Sequence, residues 1–381
     1  MANAGLKAAS LGMAIVASFL TFCRPAAAQD IKLGMIAGLS GFGASYGASI
    51  QQGVEMAMKE INDAGGINGH KLVEDIADDA SDPAQSVLAM QRLVNDKIDI
   101  VVGGWGSSMV LANMEVAERA GLPYIVVGAS NPRITTSRNK WTFRILTNDN
   151  GHAVQLADLA VQKLHMKRIS VIHDSNDYGV GARDIFVARL KELGQAPVDI
   201  ESYGTNDKDF TAQLSHIAAA NPDGIALMGT LPAAAAIINQ ARDQGIDARF
   251  FGPAGLSNEA LITLAPEAAQ HTIATAYFHE AMDPEAKAWA ERYTAMFKNA
   301  AQAPRPSQAA PAYRGVYMAA DCLKKVGTDK DKLRLCLKDW HGHFFGLPKA
   351  DLHFDDTNQL VVPVVVVDIE GKGFSVLKEA Q

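Results

Sequence analysis

The chain has 381 residues, 48% of them hydrophobic, and a formal net charge of −7. This length suits two domains of ordinary size, each large enough for its own hydrophobic core. The acidic balance, with no long basic run or basic–aromatic stripe in the sequence, argues against a nucleic-acid partner.

The N-terminus has the pattern of a secretory signal peptide, which we place at residues 1–28. Lys7 supplies a positive start, the run LGMAIVASFLTF is mostly apolar, and RPAAAQD offers a cleavage site after Ala28. The apolar run is shorter than the roughly twenty residues that span a bilayer. Cys23 raises the alternative of a lipid anchor, but the bulky Phe22 stands where that motif needs a small residue. We therefore predict a soluble periplasmic protein, exported by its signal peptide.

Strand-like and helix-like segments then alternate along the chain. The run IKLGMIAG is typical of a strand, and the helical pattern that follows it places Ile50, Val54 and Ile61 on one face. The alternation continues to LPYIVVGAS, starts again near Asn150, and runs on to ARFFGPAG. Such alternation predicts parallel sheets covered by helices on both faces, and two successive sets predict two doubly wound α/β lobes.

After His271 the alternation of strand-like and helix-like segments becomes less regular. TIATAYF is strand-like, DPEAKAWAERYTAMFKN is an amphipathic helix, and VVPVVVVDI is a late apolar strand. Cys322 and Cys336 flank a GTDK turn, and antiparallel helices on its two sides would bring the thiols together. An exported protein permits a disulfide, but spacing alone leaves two buried free thiols as an alternative.

The stretch GASYG matches the G-x-S-x-G nucleophile elbow of serine hydrolases, with Ser45 as the nucleophile. An elbow needs a tight turn directly between strand and helix, whereas LSGFG intervenes here and no sequence feature ties a histidine to Ser45. We therefore interpret Ser45 as a loop-to-helix residue and keep a hydrolase as the weaker alternative. The glycines Gly41, Gly43 and Gly47 miss the dinucleotide fingerprint by one residue, and the acid expected about twenty residues later is absent. No cofactor is predicted.

Two further motifs give weak signals for metal ions. His341-Gly-His343 has no nearby cysteine or carboxylate ligand set in the sequence, so we interpret it as an ordinary histidine pair. Asp355-Asp356 lacks the alternating acids of a calcium loop. No metal site is predicted.

Small polar side chains remain at the predicted carboxyl ends of strands, which is where open α/β sheets bind ligands. Helix-opening amides and serine hydroxyls suit an anion, most simply a carboxylate, although Ser107 and Ser108 also fit ordinary helix caps. The candidate ligand-binding residues are Tyr46, Trp105, Ser107, Ser108, Gly128, Ala129 and Ser130 in the first lobe, and Tyr178, Thr230 and Ala254 in the second.

The motifs INDAGGINGHKL, DDASDP, VGGWGSS, ASNP and DYG, in this order, resemble the leucine/isoleucine/valine-binding proteins, the periplasmic receptors of branched-chain-type ABC importers. The resemblance covers nearly the whole mature chain. It implies a type I periplasmic binding fold, with two α/β lobes joined by three crossovers. On this basis we assign 29–148 and 279–340 to the N-terminal lobe, and 149–278 and 341–381 to the C-terminal lobe.

The resemblance also implies a function. One small molecule binds between the lobes, which close by a hinge, and no bond is broken, so the chain is not an enzyme. The implied partners are a small carboxylate and the ABC permease subunits in the inner membrane, and we expect a monomer. A free receptor serving a sensor is an alternative to transport.

Site residues carry over only where the motifs match. In the amino-acid binders, groups matching Ser107, Gly128 and Ser130 hold the ligand's carboxylate, and rings matching Tyr46 and Tyr178 line the cleft. The first departure from the family is a lost disulfide, with Ser81 and Gly106 at its two positions.

The other departures concern the ligand's amine. A glutamate that pairs with the ligand's ammonium is replaced by Ala254, and an aromatic residue by Thr230. An unpaired buried charge costs several kcal/mol, so we predict a carboxylate without an α-amine, an aromatic acid being favoured because the small side chains of Ala233–Ala236 enlarge the pocket. If Asp174 or Asp177 replaces the glutamate, a branched-chain or other amino acid binds instead.

Overall fold

The computed structural model describes residues 1, 30–136, 139–300, 305–347 and 351–378. The predicted signal peptide, with Cys23, lies outside the described residues. Among the helices of the described ranges, none combines the length and the apolar character that crossing a membrane requires.

The first half of the chain forms one parallel sheet flanked by helices. Its five strands lie in the order β2-β1-β3-β4-β5, and every neighbouring pair is parallel. The elements are β1 (Ile31–Ala37), α1 (Ala44–Asp63), β2 (Leu72–Asp78), α2 (Pro83–Asn95), β3 (Ile100–Trp105), α3 (Ser107–Ala120), β4 (Tyr124–Gly128), α4 (Arg133–Thr136) and β5 (Thr142–Arg144).

The second sheet is built from the middle and the end of the chain. The elements of the middle part are α5 (Asp149–Asp158), β6 (Ile169–Asp174), α6 (Asp177–Glu192), β7 (Asp199–Tyr203), α7 (Thr211–Ala220), β8 (Gly224–Met228), α8 (Ala233–Asp243), β9 (Arg249–Gly252), α9 (Ala260–Leu264) and β10 (Ile273–Ala276). The later elements are α10 (Pro284–Phe297), α11 (Pro306–Val326), α12 (Lys330–Lys338), β11 (His341–Gly342), β12 (Leu352–His353), β13 (Val365–Glu370) and β14 (Gly373–Val376).

This second sheet has seven strands in the order β14-β13-β10-β9-β8-β6-β7. The late apolar strand is β13, and it runs antiparallel to both β10 and β14. The purely parallel sheet expected from the sequence is therefore mixed at one edge. For β13 and β14 the reason is local, since the turn between them is too short for the crossover that a parallel pair requires.

The chain passes between the two sheets after β5, after β10 and after β12. Two of these crossovers run side by side, because the backbone of Arg144 pairs with Asn358 and Leu360, and the Arg144 guanidinium donates to Gln359 at 2.6 Å. Between the second and third passages, α11 returns to pack on α1 beside the first sheet. A Cβ at Gly53 of α1 would meet the carbonyl oxygen of Ala309 at 2.4 Å, so the two helices approach closely where glycine leaves room.

Cys322 of α11 and Cys336 of α12 form a disulfide. The two helices form a hairpin, and Leu333 and Leu337 of α12 join the core that Cys322 and Leu323 of α11 also enter. Of the two alternatives that the spacing left open, the structure has the bonded one.

Candidate functional site

A cavity of about 440 Å³ lies where the carboxyl ends of the two sheets face each other. Nine of the ten residues singled out from the sequence line it: Tyr46, Trp105, Ser107, Ser108, Gly128, Ser130, Tyr178, Thr230 and Ala254. Their convergence follows from the sheet topology, since residues after parallel strands meet at one edge.

Ala129, the tenth residue, is absent from the described lining of the cavity. It lies between two lining residues, Gly128 and Ser130, and its side chain is buried in the apolar cluster on the other side. Successive residues of extended chain point to opposite faces, and this alternation turns Ala129 away. Ala233–Ala236 are also absent from the described lining, because they pack within or against the hydrophobic core. Their small side chains therefore do not enlarge the cavity as expected.

The wall contributed by the first lobe presents amides and hydroxyls. The N-cap of α3 is Gly106, at a φ of 78° that favours glycine, and no side chain caps this helix. Ser107 and Ser108 therefore lie in the first turn and are not its caps, and both line the cavity, where the start of a helix suits an anion. The Ser107 hydroxyl accepts from the amide of Asn131 at 3.2 Å, which leaves its own proton to donate.

Ser108 makes a bond across the cleft. Its hydroxyl donates to the Asp177 carboxylate at 2.8 Å, and Arg133 also pairs with that carboxylate at 3.2 Å. Asp174 is buried, and it accepts from the Thr205 hydroxyl at 2.7 Å and from the amide of Asn176 at 3.1 Å. Both acids that might replace the family's glutamate thus have partners, and neither lines the cavity.

A buried acid lies behind the wall that contains Ser130. Asp149 is fully buried, and its amide donates to the carbonyl of Ser130 at 2.9 Å. Burial raises the pKa of Asp149 to about 7, against the opposing influence of Ser130 and of the Arg144 guanidinium. Arg144 does not reach the cavity, since it donates to the carbonyl of Asn131 at 2.6 Å and to Thr135 at 3.0 Å.

The charge of the described lining is low. It contains no lysine, arginine or histidine, and its single acid, Asp82, accepts from the amide of Gln85 at 2.9 Å as the N-cap of α2. A ligand carboxylate would therefore be held by neutral donors.

Aromatic rings form much of the remaining lining. Tyr46 stacks on Trp105 with ring centroids 4.6 Å apart, and Phe42 meets Trp105 edge-on at 5.4 Å. The Tyr46 hydroxyl donates to the carbonyl of Gly255 at 2.7 Å and accepts from the amide of Leu231 at 3.1 Å, so it joins the two lobes. Burial raises the pKa of Tyr46, which stays a neutral hydrogen-bonding group.

The wall contributed by the second lobe is neutral. Ala254 begins a short 3-10 turn that ends at Leu256, and the amide of Gly255 donates to the Tyr178 hydroxyl at 3.2 Å. With Thr230 beside them, these residues offer hydroxyl and methyl groups where the resemblance placed an acid and an aromatic ring.

Several lining residues were missed from the sequence. Tyr277 directly follows β10 and Thr205 lies just beyond β7, so the rule of strand ends would have found both. Gln308 comes from α11, and no local signal marks it. Ser81 and Gly106, the positions of the lost family disulfide, also line the cavity.

Ser45 lies outside the described lining. It is in the first turn of α1, and its hydroxyl accepts from the side-chain amide of Asn258 at 3.3 Å. Within the described residues the partner of this hydroxyl is therefore an amide and not a histidine.

Comparisons with known proteins agree with this arrangement. The profile of the family described as "Periplasmic binding protein" matches residues 30–373. The chain is 32% identical over 335 residues to a leucine-, isoleucine-, valine-, threonine- and alanine-binding protein of Pseudomonas aeruginosa, covering 88% of each chain.

Solved structures show the same fold with different ligands. The branched-chain amino-acid transporter substrate-binding protein LivJ of Streptococcus pneumoniae, in complex with isoleucine, has a TM-score of 0.81 and 27% identity, covering 91% of this chain and 98% of that one. An ABC-transporter solute-binding protein of R. palustris, in complex with benzoate, has a TM-score of 0.82 and 19% identity, covering 91% and 95%.

Proposed function

Because this chain belongs to the periplasmic binding protein family, in its leucine/isoleucine/valine-binding branch, we propose that it is the periplasmic receptor of an ABC importer. It captures a small carboxylate that lacks an α-amine, and an aromatic acid fits its cavity best. The two lobes close over this ligand by a hinge, and permease subunits in the inner membrane receive it from the monomeric receptor.

The observation that carries the ligand class is the neutral wall around Ala254. An ammonium group buried there would have no acid beside it, since Asp174 and Asp177 are hydrogen-bonded elsewhere and lie outside the lining. A buried charge without a partner costs about 3–5 kcal/mol. A ligand without an amine avoids that cost.

The opposite wall supports the carboxylate. Ser107, Ser130 and the uncapped first turn of α3 converge on the cavity. A hydrogen bond to a charged group contributes about 1.5–3 kcal/mol. Two hydroxyls and the helix-start amides therefore hold an anion without any cation.

The aromatic lining supports a flat ligand. The rings of Phe42, Tyr46, Trp105, Tyr178 and Tyr277 all contribute to the lining, and a ring can stack on them or meet their edges. The fold itself admits both classes, because the Streptococcus pneumoniae protein holds isoleucine and the R. palustris protein holds benzoate. The ligand class therefore depends on the side chains that line the cavity, and here they favour an aromatic acid.

An amino acid is the second candidate. It is favoured by the relative of Pseudomonas aeruginosa, whose name records binding of leucine, isoleucine, valine, threonine and alanine.

Calorimetric titration of the mature protein separates the two candidates. The panel pairs leucine and valine with benzoate, 4-hydroxybenzoate and phenylacetate, and a thermal-shift screen with the same compounds provides an independent measure because ligands of the folded form raise its melting temperature. We expect an aromatic acid to bind at least about 100-fold more tightly than leucine, from the cost of the unpaired ammonium. Tight leucine binding would reject the proposed ligand class and leave the receptor assignment intact.

A further inference from the structure

The short ribbon formed by β11 and β12 carries a histidine–aspartate–histidine cluster away from the cavity. His341 and His353 face each other in the antiparallel pair, and their rings stack with centroids 5.5 Å apart. Asp351 places Oδ2 2.7 Å from Nδ1 of His341. One ligand atom from each of the three residues lies within 4.8 Å of the other two.

This set has the composition of a transition-metal site. Imidazole and carboxylate are both zinc ligands, with bonds of about 2.0–2.2 Å, so ligand atoms around a tetrahedral ion lie roughly 3.3–3.5 Å apart. His341 and Asp351 are 60% and 59% exposed, so their side chains have room to rotate from their present 2.7 Å hydrogen bond to these separations. The ribbon backbone already holds the two histidines opposite each other.

Little in the sequence indicated this site, because its residues come from β11 and from the separate segment 351–353. The interpretation of His341 and His343 as an ordinary pair rested on the lack of a nearby carboxylate, and the facing strand supplies one in space. His343 directly follows β11, so it lies next to this cluster along the chain.

A second histidine–carboxylate pair shows what an ordinary surface contact looks like. Nδ1 of His216 lies 2.9 Å from Oε1 of Glu201, on an exposed face. No third ligand joins that pair among the clusters found in the described residues. Three convergent ligands are what distinguish the ribbon.

We infer that His341, Asp351 and His353 bind one divalent transition-metal ion of the zinc class. The ion joins β11 to β12 and takes its remaining ligands from water or from His343. Its effect is structural, since the segment after β12 leads to Gln359, which hydrogen-bonds to Arg144 at the crossover between the lobes. Metal binding to the folded form stabilises it.

The test uses the tag-free mature protein, stripped with EDTA and titrated with ZnCl₂ by calorimetry. We expect one zinc ion per chain, and a melting temperature that rises with zinc. His353→Asn and Asp351→Asn should each weaken zinc binding by about tenfold or more, because even second-shell changes cost 10–100-fold. His216→Asn is the matched control and should bind zinc like the wild type.

Two further measurements make the result decisive. Equal melting temperatures of all variants in EDTA show that the substitutions leave the fold intact, and the visible spectrum of the Co²⁺-substituted protein reports the coordination of the ion. Absence of zinc binding in the wild type, or unchanged binding in His353→Asn, would overturn the site. Titration with benzoate in EDTA is expected to be the same in all variants, so the metal site and the proposed receptor function are tested separately.

Discussion

The two walls of the cavity differ in their residues and in the chemical groups of a ligand that they suit. The first-lobe wall presents Ser107, Ser130 and the uncapped amides of α3, which suit an anion of any carbon skeleton. The second-lobe wall presents Thr230, Ala254 and Tyr178, which are neutral and leave a positive group without a partner. In the proposed function, recognition of the carboxylate and discrimination against the amine therefore belong to different lobes, and we expect that each can be altered without the other.

Changing the second wall should have the largest effect. Ala254→Glu restores an acid, so leucine should gain affinity and an aromatic acid should lose it through like-charge repulsion. We expect the ratio of the two affinities to change by about 100-fold or more, since an unpaired ammonium costs about 3–5 kcal/mol. Calorimetric titration of both proteins with leucine and benzoate measures it.

The neutral variant Ala254→Gln is the control, because it adds similar bulk without charge. It should not recruit leucine. If neither variant changes the relative affinity for leucine and benzoate, Ala254 does not contact the end of the ligand opposite its carboxylate.

Changing the first wall should weaken every carboxylate alike. Ser107→Ala and Ser130→Ala each remove a donor to a charged group and should cost about 1.5–3 kcal/mol of binding free energy. Both address one carboxylate, so the double variant should cost less than the sum. Ser49→Ala provides the control, since Ser49 is buried and its hydroxyl donates to the Ser45 carbonyl, outside the lining. Normal binding by the double variant would mean that the carboxylate is held elsewhere.

A smaller effect should come from pH. Because burial raises the pKa of Asp149 to about 7, this acid is neutral below that pH and negative above it, while a ligand carboxylate stays ionised throughout. Binding should therefore weaken between pH 6 and pH 8, by about 1 kcal/mol or roughly fivefold. Asp149→Asn should flatten this dependence. A steep profile that persists in the variant assigns the effect to another group.

The smallest effect should follow Ser45→Ala, which changes a residue outside both walls. Binding should stay within a few-fold of the wild type, because the substitution removes a single 3.3 Å contact with Asn258. A p-nitrophenyl ester assay of both proteins tests the hydrolase alternative. Esterase activity that is present in the wild type and lost in Ser45→Ala would show that the protein is an enzyme and not a receptor.

The first wall was accessible from the sequence because it depends on local rules. Ser107 and Ser130 follow β3 and β4, and apolar periodicity locates strand ends well enough to find them. The position of Ala129 outside the described lining was harder to predict, because the direction of its side chain depends on the alternation of single residues, and a shift of one position reverses that direction. The partners of Asp174 and Asp177 could not be predicted, since Asp174 ends β6, Asp177 begins α6, and only tertiary contacts show what the two acids bind.

Long-range placement accounts for the other differences. Gln308 lines the cavity from a helix that is distant in sequence from the other lining residues, and no sequence pattern within α11 indicates this position. The mixed edge of the second sheet depends on the length of one turn between β13 and β14. Asp351 and His353 meet His341 only because two very short strands pair.

The bonds across the cleft have a consequence for the energetics of capture. Tyr46 bonds directly to Leu231 and Gly255, and Asp177 accepts directly from Ser108. These contacts supply part of the free energy of closing, so weakening or strengthening them changes the fraction of the receptor that is closed. Apparent affinity is the intrinsic affinity scaled by that fraction. Contacts such as that between Asp177 and Ser108 therefore change the apparent affinity for every ligand by the same factor and leave the order of the affinities unchanged.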